Sequence, residues 1–255
     1  MSTRTALAGG IALACLSYGA AAVAASSSAS LTNISMTVVD LDLADGITAG
    51  FSFVEGLGFA GGLLVASGFG LDDRRDYGEG GLTDPFVSAS AAVSVPRVQA
   101  SAVMTPSGFT LSASTAAPSS AHGDANFIAS LSLTPHTRLI ATADYSLTAS
   151  ALDACIPGLC EEGNANVFLV FDQDFQAASA RAVARQGGGV FSTGPKSGSL
   201  QLQVDNVADT TANVGMHFGG SARAEGAVGA IPEPETYALM LIGLGVLGMA
   251  SRRRN

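Results

Sequence analysis

Cys155, Cys160, the three histidines and several runs of aspartate are the residues of this chain whose types and spacing could do chemistry. In Cys155-Ile156-Pro157-Gly158-Leu159-Cys160, Pro157 and Gly158 occupy the two central positions favoured in a type II turn, which brings Ile156 and Leu159 within about 7 Å. The two cysteines then face each other across a hairpin, where Cβ atoms lie about 4.5–5.5 Å apart and can adjust to disulfide geometry. Their spacing is not the CxxC of redox sites, and zinc would need two further ligands that the neighbouring sequence does not supply. The expectation is a structural Cys155–Cys160 disulfide closing a small loop, worth about 2 kcal/mol on chain-entropy grounds.

The aspartates are less specific. Asp40-Leu41-Asp42-Leu43-Ala44-Asp45-Gly46 begins like a calcium loop, but its third aspartate and its glycine come one residue late, and Phe51 stands where an EF-hand has its closing glutamate. The reading is a strand from Thr37 to Leu43 with its aspartates toward water, followed by an Asp-Gly turn. Asp72, Asp73 and Asp76, interleaved with Arg74 and Arg75, read as a solvated charged loop, and Asp172 and Asp174 as exposed residues at the end of a strand. No metal ligand and no cofactor is assigned. His122, His136 and His217 are scattered along the chain and read as surface residues. The segment from Gly189 to Lys196 imitates a phosphate loop, yet Pro195 separates Gly194 from the lysine. No catalytic residue is assigned, and the chain is read as a non-enzyme, with a secreted hydrolase using a carboxylate pair as the enzymatic alternative.

The C-terminal segment carries the strongest signal. Ile231-Pro232-Glu233-Pro234-Glu235-Thr236 precedes an uncharged stretch from Tyr237 to Ala250, which is followed by Arg252-Arg253-Arg254. The stretch is helix-length for about 21 Å, short of the roughly 30 Å hydrocarbon core, so it spans a bilayer only with thinning or snorkelling. Arg252, Arg253 and Arg254 act as a cytoplasmic stop, which leaves the body on the outer side. Pro232 and Pro234 hold Pro-Glu-Pro extended beside the membrane, in reach of a processing enzyme. Gly243 to Gly248 matches GxGxxG formally, but the chain ends seven residues later with no acidic partner. Through Pro232, Glu233, Pro234, Thr236 and the arginine cluster, residues 231–255 resemble the PEP-CTERM sorting signal of exported Gram-negative proteins. The resemblance implies a membrane-embedded exosortase as processing partner, a tethered precursor, then a cell-surface or extracellular product associated with exopolysaccharide or biofilm.

The N-terminus agrees with export. Arg4, an apolar run from Ala6 to Leu16 and small residues at Ala22-Val23-Ala24 and Val23-Ala24-Ala25 make a signal peptide over residues 1–25, with signal peptidase as a second partner. Between them, residues 26–230 hold 19 acidic and 8 basic side chains, a net charge of −11 against −9 for the whole chain, which argues against nucleic acid and anionic membrane surfaces.

Positioning any of these groups falls to strands. Apolar residues recur with period two at Ile34-Met36-Val38, Phe109-Leu111, Leu131-Leu133, Leu139-Ala141-Ala143-Tyr145-Leu147, Leu200-Leu202-Val204 and Val214-Met216-Phe218. Glycine, proline and serine clusters such as Gly78-Glu79-Gly80-Gly81 are read as the turns between them. Phe175 to Gln186 fits a helix or a strand, with the strand preferred. The fold class is therefore all-β, an antiparallel sandwich rich in small residues. The functional expectation is a structural or adhesive matrix protein, with a carbohydrate-binding module as the alternative; no tryptophan and only four tyrosines weaken the latter.

Overall fold

A computed structural model describes residues 25–68, 70–116, 119–151, 161–173, 176–185 and 191–226. Among them the chain forms fourteen strands and no α-helix. These are β1 (Ala25–Asp40), β2 (Phe51–Phe53), β3 (Gly58–Gly68), β4 (Leu71–Leu82), β5 (Ala89–Val95), β6 (Val98–Thr105) and β7 (Gly108–Thr115), then β8 (Ser119–Leu133), β9 (Thr137–Ala151), β10 (Glu162–Phe171), β11 (Gln176–Arg185), β12 (Phe191–Ser192), β13 (Lys196–Asn206) and β14 (Ala212–Gly226). One sheet runs β13-β9-β1-β7-β6-β5; the other runs β12-β11-β10-β14-β8-β3-β4, with β2 also on β8. Every pairing is antiparallel, so the expected sandwich is what the alternating sequence folds into.

Side-chain alternation decides which residues meet. Inward positions of β9 (Leu139, Ala141, Ala143, Leu147), of β13 (Leu200, Leu202, Val204) and of β14 (Val214, Met216, Phe218) are all buried, as the period-two reading requires. Most of the remaining core is alanine, so the space between sheets is filled by a few rings. Phe109, Phe127, Phe86, Phe218 and Phe171 form a continuous row with neighbouring centroids 5.1–6.3 Å apart. Phe86 enters this row from the connection between β4 and β5. Gly220 admits Phe109, since a Cβ there would lie 2.9 Å from the ring.

Three segments depart from the sequence reading. The charged run at 72–76 is not a loop but the middle of β4, an edge strand, and Gly78 to Gly81 lie within the same strand rather than in a turn. An edge strand has few inward positions to mark it with apolar residues, and its charges discourage pairing with another chain. Asp73 instead turns to the other sheet, where its Oδ2 accepts the Ser94 N–H of edge strand β5 at 3.1 Å. On the opposite side, Lys196 of β13 donates to the carbonyl of Arg181 in β11 at 2.8 Å. The strand through the first aspartates stops at Asp40, because Asp40, Asp42 and Asp45 each accept a backbone N–H two residues on and curl the chain into successive turns. The third departure, at His217, is described below. Gln176–Arg185 is a strand, as preferred.

The path of the chain gives the sandwich two unlike poles. At one pole Ala25 pairs with Thr115, Gly226 pairs with Ser119, and the Thr115 and Ser119 hydroxyls are bonded to each other. The first and last described residues therefore sit together. Strand β8 runs from there through Leu133, fifteen residues or about 45 Å, to the turns at the other pole.

Gly78 faces Gly61 across the β3–β4 pair with a φ of 114°, and a Cβ added to it would lie 2.0 Å from the Ala60 carbonyl oxygen. Gly78→Ala is expected to cost about 1–3 kcal/mol in urea unfolding, while Gly80→Ala, whose Cβ would meet only the Phe59 side chain at 3.8 Å, changes stability by less than about 0.5 kcal/mol.

Candidate functional site

The far pole gathers side chains from three connections. The aspartate turns after β1 bring Asp42 and Asp45 beside His136 of the β8–β9 turn, with one ligand-type atom from each within 4.8 Å of the others. Leu41 N–H donates to the His136 carbonyl at 2.7 Å and ties the two connections together. His136 Nε2 lies 2.9 Å from Asp209 Oδ1, contributed by the β13–β14 turn. Behind these groups, Asn206 is buried and its amide nitrogen reaches the carbonyls of Leu133, Thr134 and Thr210 at 2.9–3.3 Å. Thr134 in turn exchanges backbone and hydroxyl bonds with Gly50. Each of these polar groups would be costly to bury alone; bonded together, they hold the turns in one arrangement.

The six-stranded sheet presents a different surface. Its outer face carries ladders of hydroxyls, with Ser101, Ser112, Ser28 and Thr148 side by side across β6, β7, β1 and β9. Ser101 and Ser112 are bonded at 2.7 Å, and so are Ser28 and Thr148. Adjacent rows place Gln99, Ser114, Ser26 and Ser150, then Val103, Thr110, Ser30 and Ser146. These three rows contain no charge, although the surrounding body is strongly acidic. Neighbouring strands are about 4.8 Å apart and successive outward residues about 6.8 Å apart, so the hydroxyls form a regular grid. The grid is interrupted beyond Thr32 by a bulge at Asn33, whose φ is 53° and whose amide donates to Asp144 Oδ2 at 2.9 Å.

Residues 230–254 match the family model of the PEP-CTERM protein-sorting motif. This chain is an exported protein addressed to exosortase. No curated protein and no solved structure matches it. The sequence-predicted sorting residues Pro232, Glu233, Pro234 and Thr236, the arginines Arg252–Arg254, the signal-peptide residues 1–24 and the cysteines Cys155 and Cys160 lie outside the described residues, whereas Ala25, read as the last residue of the signal peptide, is the first residue of β1. In the folded body of this exosortase substrate the chain leaves β14 at Gly226, four residues before the motif, at the pole opposite His136 and Asp209. None of the polar constellations could be read from spacing, because each joins residues from separate strands or turns.

The larger sheet of the exosortase substrate has an outer face of mixed polar and apolar side chains with a shallow depression of about 470 Å³, lined by Phe59, Leu63, Asp76, Tyr77, Asp124 and Asn126 among others. Tyr77 donates from its hydroxyl to the Asp124 carbonyl at 2.5 Å, and burial, seconded by the Asp124 charge, raises its pKa. Further along the face His217 departs from the exposed position expected of it. It is half-buried, its Nε2 donates to Asn126 Oδ1 at 2.8 Å, and its ring stands edge-on to Phe168 with centroids 4.7 Å apart. Burial lowers its pKa below the ordinary 6.5. The folded protein thus holds the imidazole neutral, and the unfolded chain takes up the proton first as pH falls. Stability is expected to decline as pH drops from about 6.5 through the lowered value, and His217→Gln should flatten this limb in thermal melts collected from pH 7 to 5. A second loss at lower pH belongs to Asp205, whose carboxyl is held below its usual range by bidentate bonds from Arg138 at 2.7 Å each.

Proposed function

We propose that this exported protein is released or attached at the cell surface by exosortase and serves there as a non-catalytic structural or adhesive component of the extracellular matrix, in contact with neutral polysaccharide. The sorting motif at residues 230–254 is the observation that carries the reading. On this reading the body lies outside the membrane on a C-terminal tether, and the last described residue, Gly226, lies at one pole of the sandwich. The long axis of the sandwich and both outer sheet faces are then available to the matrix.

The choice of polymer follows from charge and hydrogen bonding. With a net charge of −11 over residues 26–230, the body repels anionic polymers at low ionic strength. The uncharged serine and threonine rows of the six-stranded sheet offer donors and acceptors in a repeating array, which suits an extended chain of neutral sugar hydroxyls. A second reading, a carbohydrate-binding module acting through the larger sheet, draws on the depression where Phe59 and Leu63 lie beside Asp76, Asp124 and Asn126. A Cys155–Cys160 disulfide belongs to the proposal too, on the strength of the Pro-Gly turn and an oxidising destination.

Processing is tested by replacing Pro232, Glu233 and Pro234 together with alanine in a host that contains an exosortase. The natural chain is expected as a shortened product at the surface or in the medium and the variant as a full-length membrane protein, by intact mass and fractionation; identical uncut products would refute processing. For the polysaccharide contact, affinity electrophoresis in gels containing a neutral glucan is expected to retard the natural protein. Ser28→Glu with Ser112→Glu should weaken that retardation about tenfold, since each new carboxylate must be desolvated against sugar hydroxyls. Loss of retardation through Asp124→Ala and Asn126→Ala instead would assign the contact to the larger sheet.

A further inference from the structure

We propose that the pole remote from the tether binds a divalent transition-metal ion of the zinc type, with Asp42, Asp45 and His136 as ligands and Asp209 orienting the imidazole. Three observations beyond the acidity of the cluster carry this. First, the set contains an imidazole delivered from a different connection, and the Leu41 N–H to His136 carbonyl bond at 2.7 Å locks the two connections in register. Second, His136 Nε2 lies 2.9 Å from Asp209 Oδ1, so the proposal assigns the cation to Nδ1; a metal-bound histidine ordinarily has its other nitrogen held by a carboxylate in this way. The Asp209 side chain is 95 % exposed, and so exposed a polar contact contributes little to folding, so stability alone does not account for the arrangement. Third, Asp45 Oδ1 accepts the Ile47 N–H at 2.7 Å, while Asp45 Oδ2 is shielded from solvent and has no hydrogen-bond partner among the described residues. A buried carboxylate oxygen left in that state is costly, and a cation satisfies it.

The donor set selects the metal. Calcium and magnesium take oxygen ligands almost exclusively, whereas one imidazole with two carboxylates suits zinc and its neighbours in the first transition row. With bonds of about 2.0–2.2 Å, tetrahedral ligand atoms lie about 3.4 Å apart. The proposal requires the present spread of up to 4.8 Å to close by side-chain rotation, for which the exposed Asp42 has room. Three protein ligands leave the fourth position to water. His136 has a φ of 50°, a conformation that glycine adopts freely, so removing its side chain need not disturb the turn.

The test uses the full chain with both termini intact, purified in detergent and stripped with a chelator, and titrated with zinc chloride by calorimetry. One saturable equivalent is expected, with His136→Gly and Asp45→Asn each weakening binding at least tenfold. The amide introduced by Asp45→Asn retains an Oδ1 that accepts the Ile47 N–H, so both variants should keep the metal-free melting temperature within a few degrees. Asp209→Ala should weaken zinc binding by a smaller factor and alter the intensity of the absorption bands of the cobalt-substituted protein by freeing the imidazole. The absence of saturable zinc binding would overturn the proposal, as would binding unaffected by His136→Gly, calcium binding as tight as zinc, or zinc binding abolished only by Cys155→Ser with Cys160→Ser.

Discussion

Two sheets packed face to face leave a gap of about 10 Å that must be filled without voids, and in this protein alanine supplies most of the lining. Alanine alone cannot fill such a gap. The row of Phe109, Phe127, Phe86, Phe218 and Phe171 does so, with Leu64 and Leu111 closing the spaces where Gly123 leaves room beside them. The remainder of the fold depends on this row. It sets the spacing of the sheets, draws the β4–β5 connection inward at Phe86, and allows the flanking positions to stay small. Where no ring intervenes, backbones approach closely: at Gly163 a Cβ would lie 2.5 Å from the Ser26 carbonyl oxygen.

Small inward residues and long antiparallel strands also separate the surfaces from one another. Because β1 and β14 lie inside their sheets and meet neighbours on both sides, the first and last described segments are each bonded along both edges. The opposite pole is secured by different means. There Asn206 and Thr134 bond the turns to one another, and polar side chains do what apolar packing does elsewhere.

Much of this was legible in residue order. The period-two runs at 139–147, 200–204 and 214–218 mark inward faces because each of these strands has one face against the core and one toward water or polar neighbours. That signal fails at β4, where Asp72 to Asp76 and the glycines at 78, 80 and 81 look like loop chemistry. The edge strand has little core to mark it, and Gly78 serves the close approach of β3 rather than a turn. Residues 41–43 fail for the converse reason. Leu41 and Leu43 continue the alternation, but the carboxylates between them capture backbone N–H groups and bend the chain away.

Residue order by itself determined the sorting address and the fold class: the sorting motif is contiguous in the chain, and alternation reports a half-buried strand without knowledge of its partners. Tertiary structure alone decided which polar groups meet. Asp42, His136 and Asp209 are separated by 94 and 73 residues, and the hydroxyl rows of β6, β7, β1 and β9 come from four strands. Strand register brings such residues together, and register is set by how whole inward faces pack across the gap, a property of pairs of strands that no single segment contains.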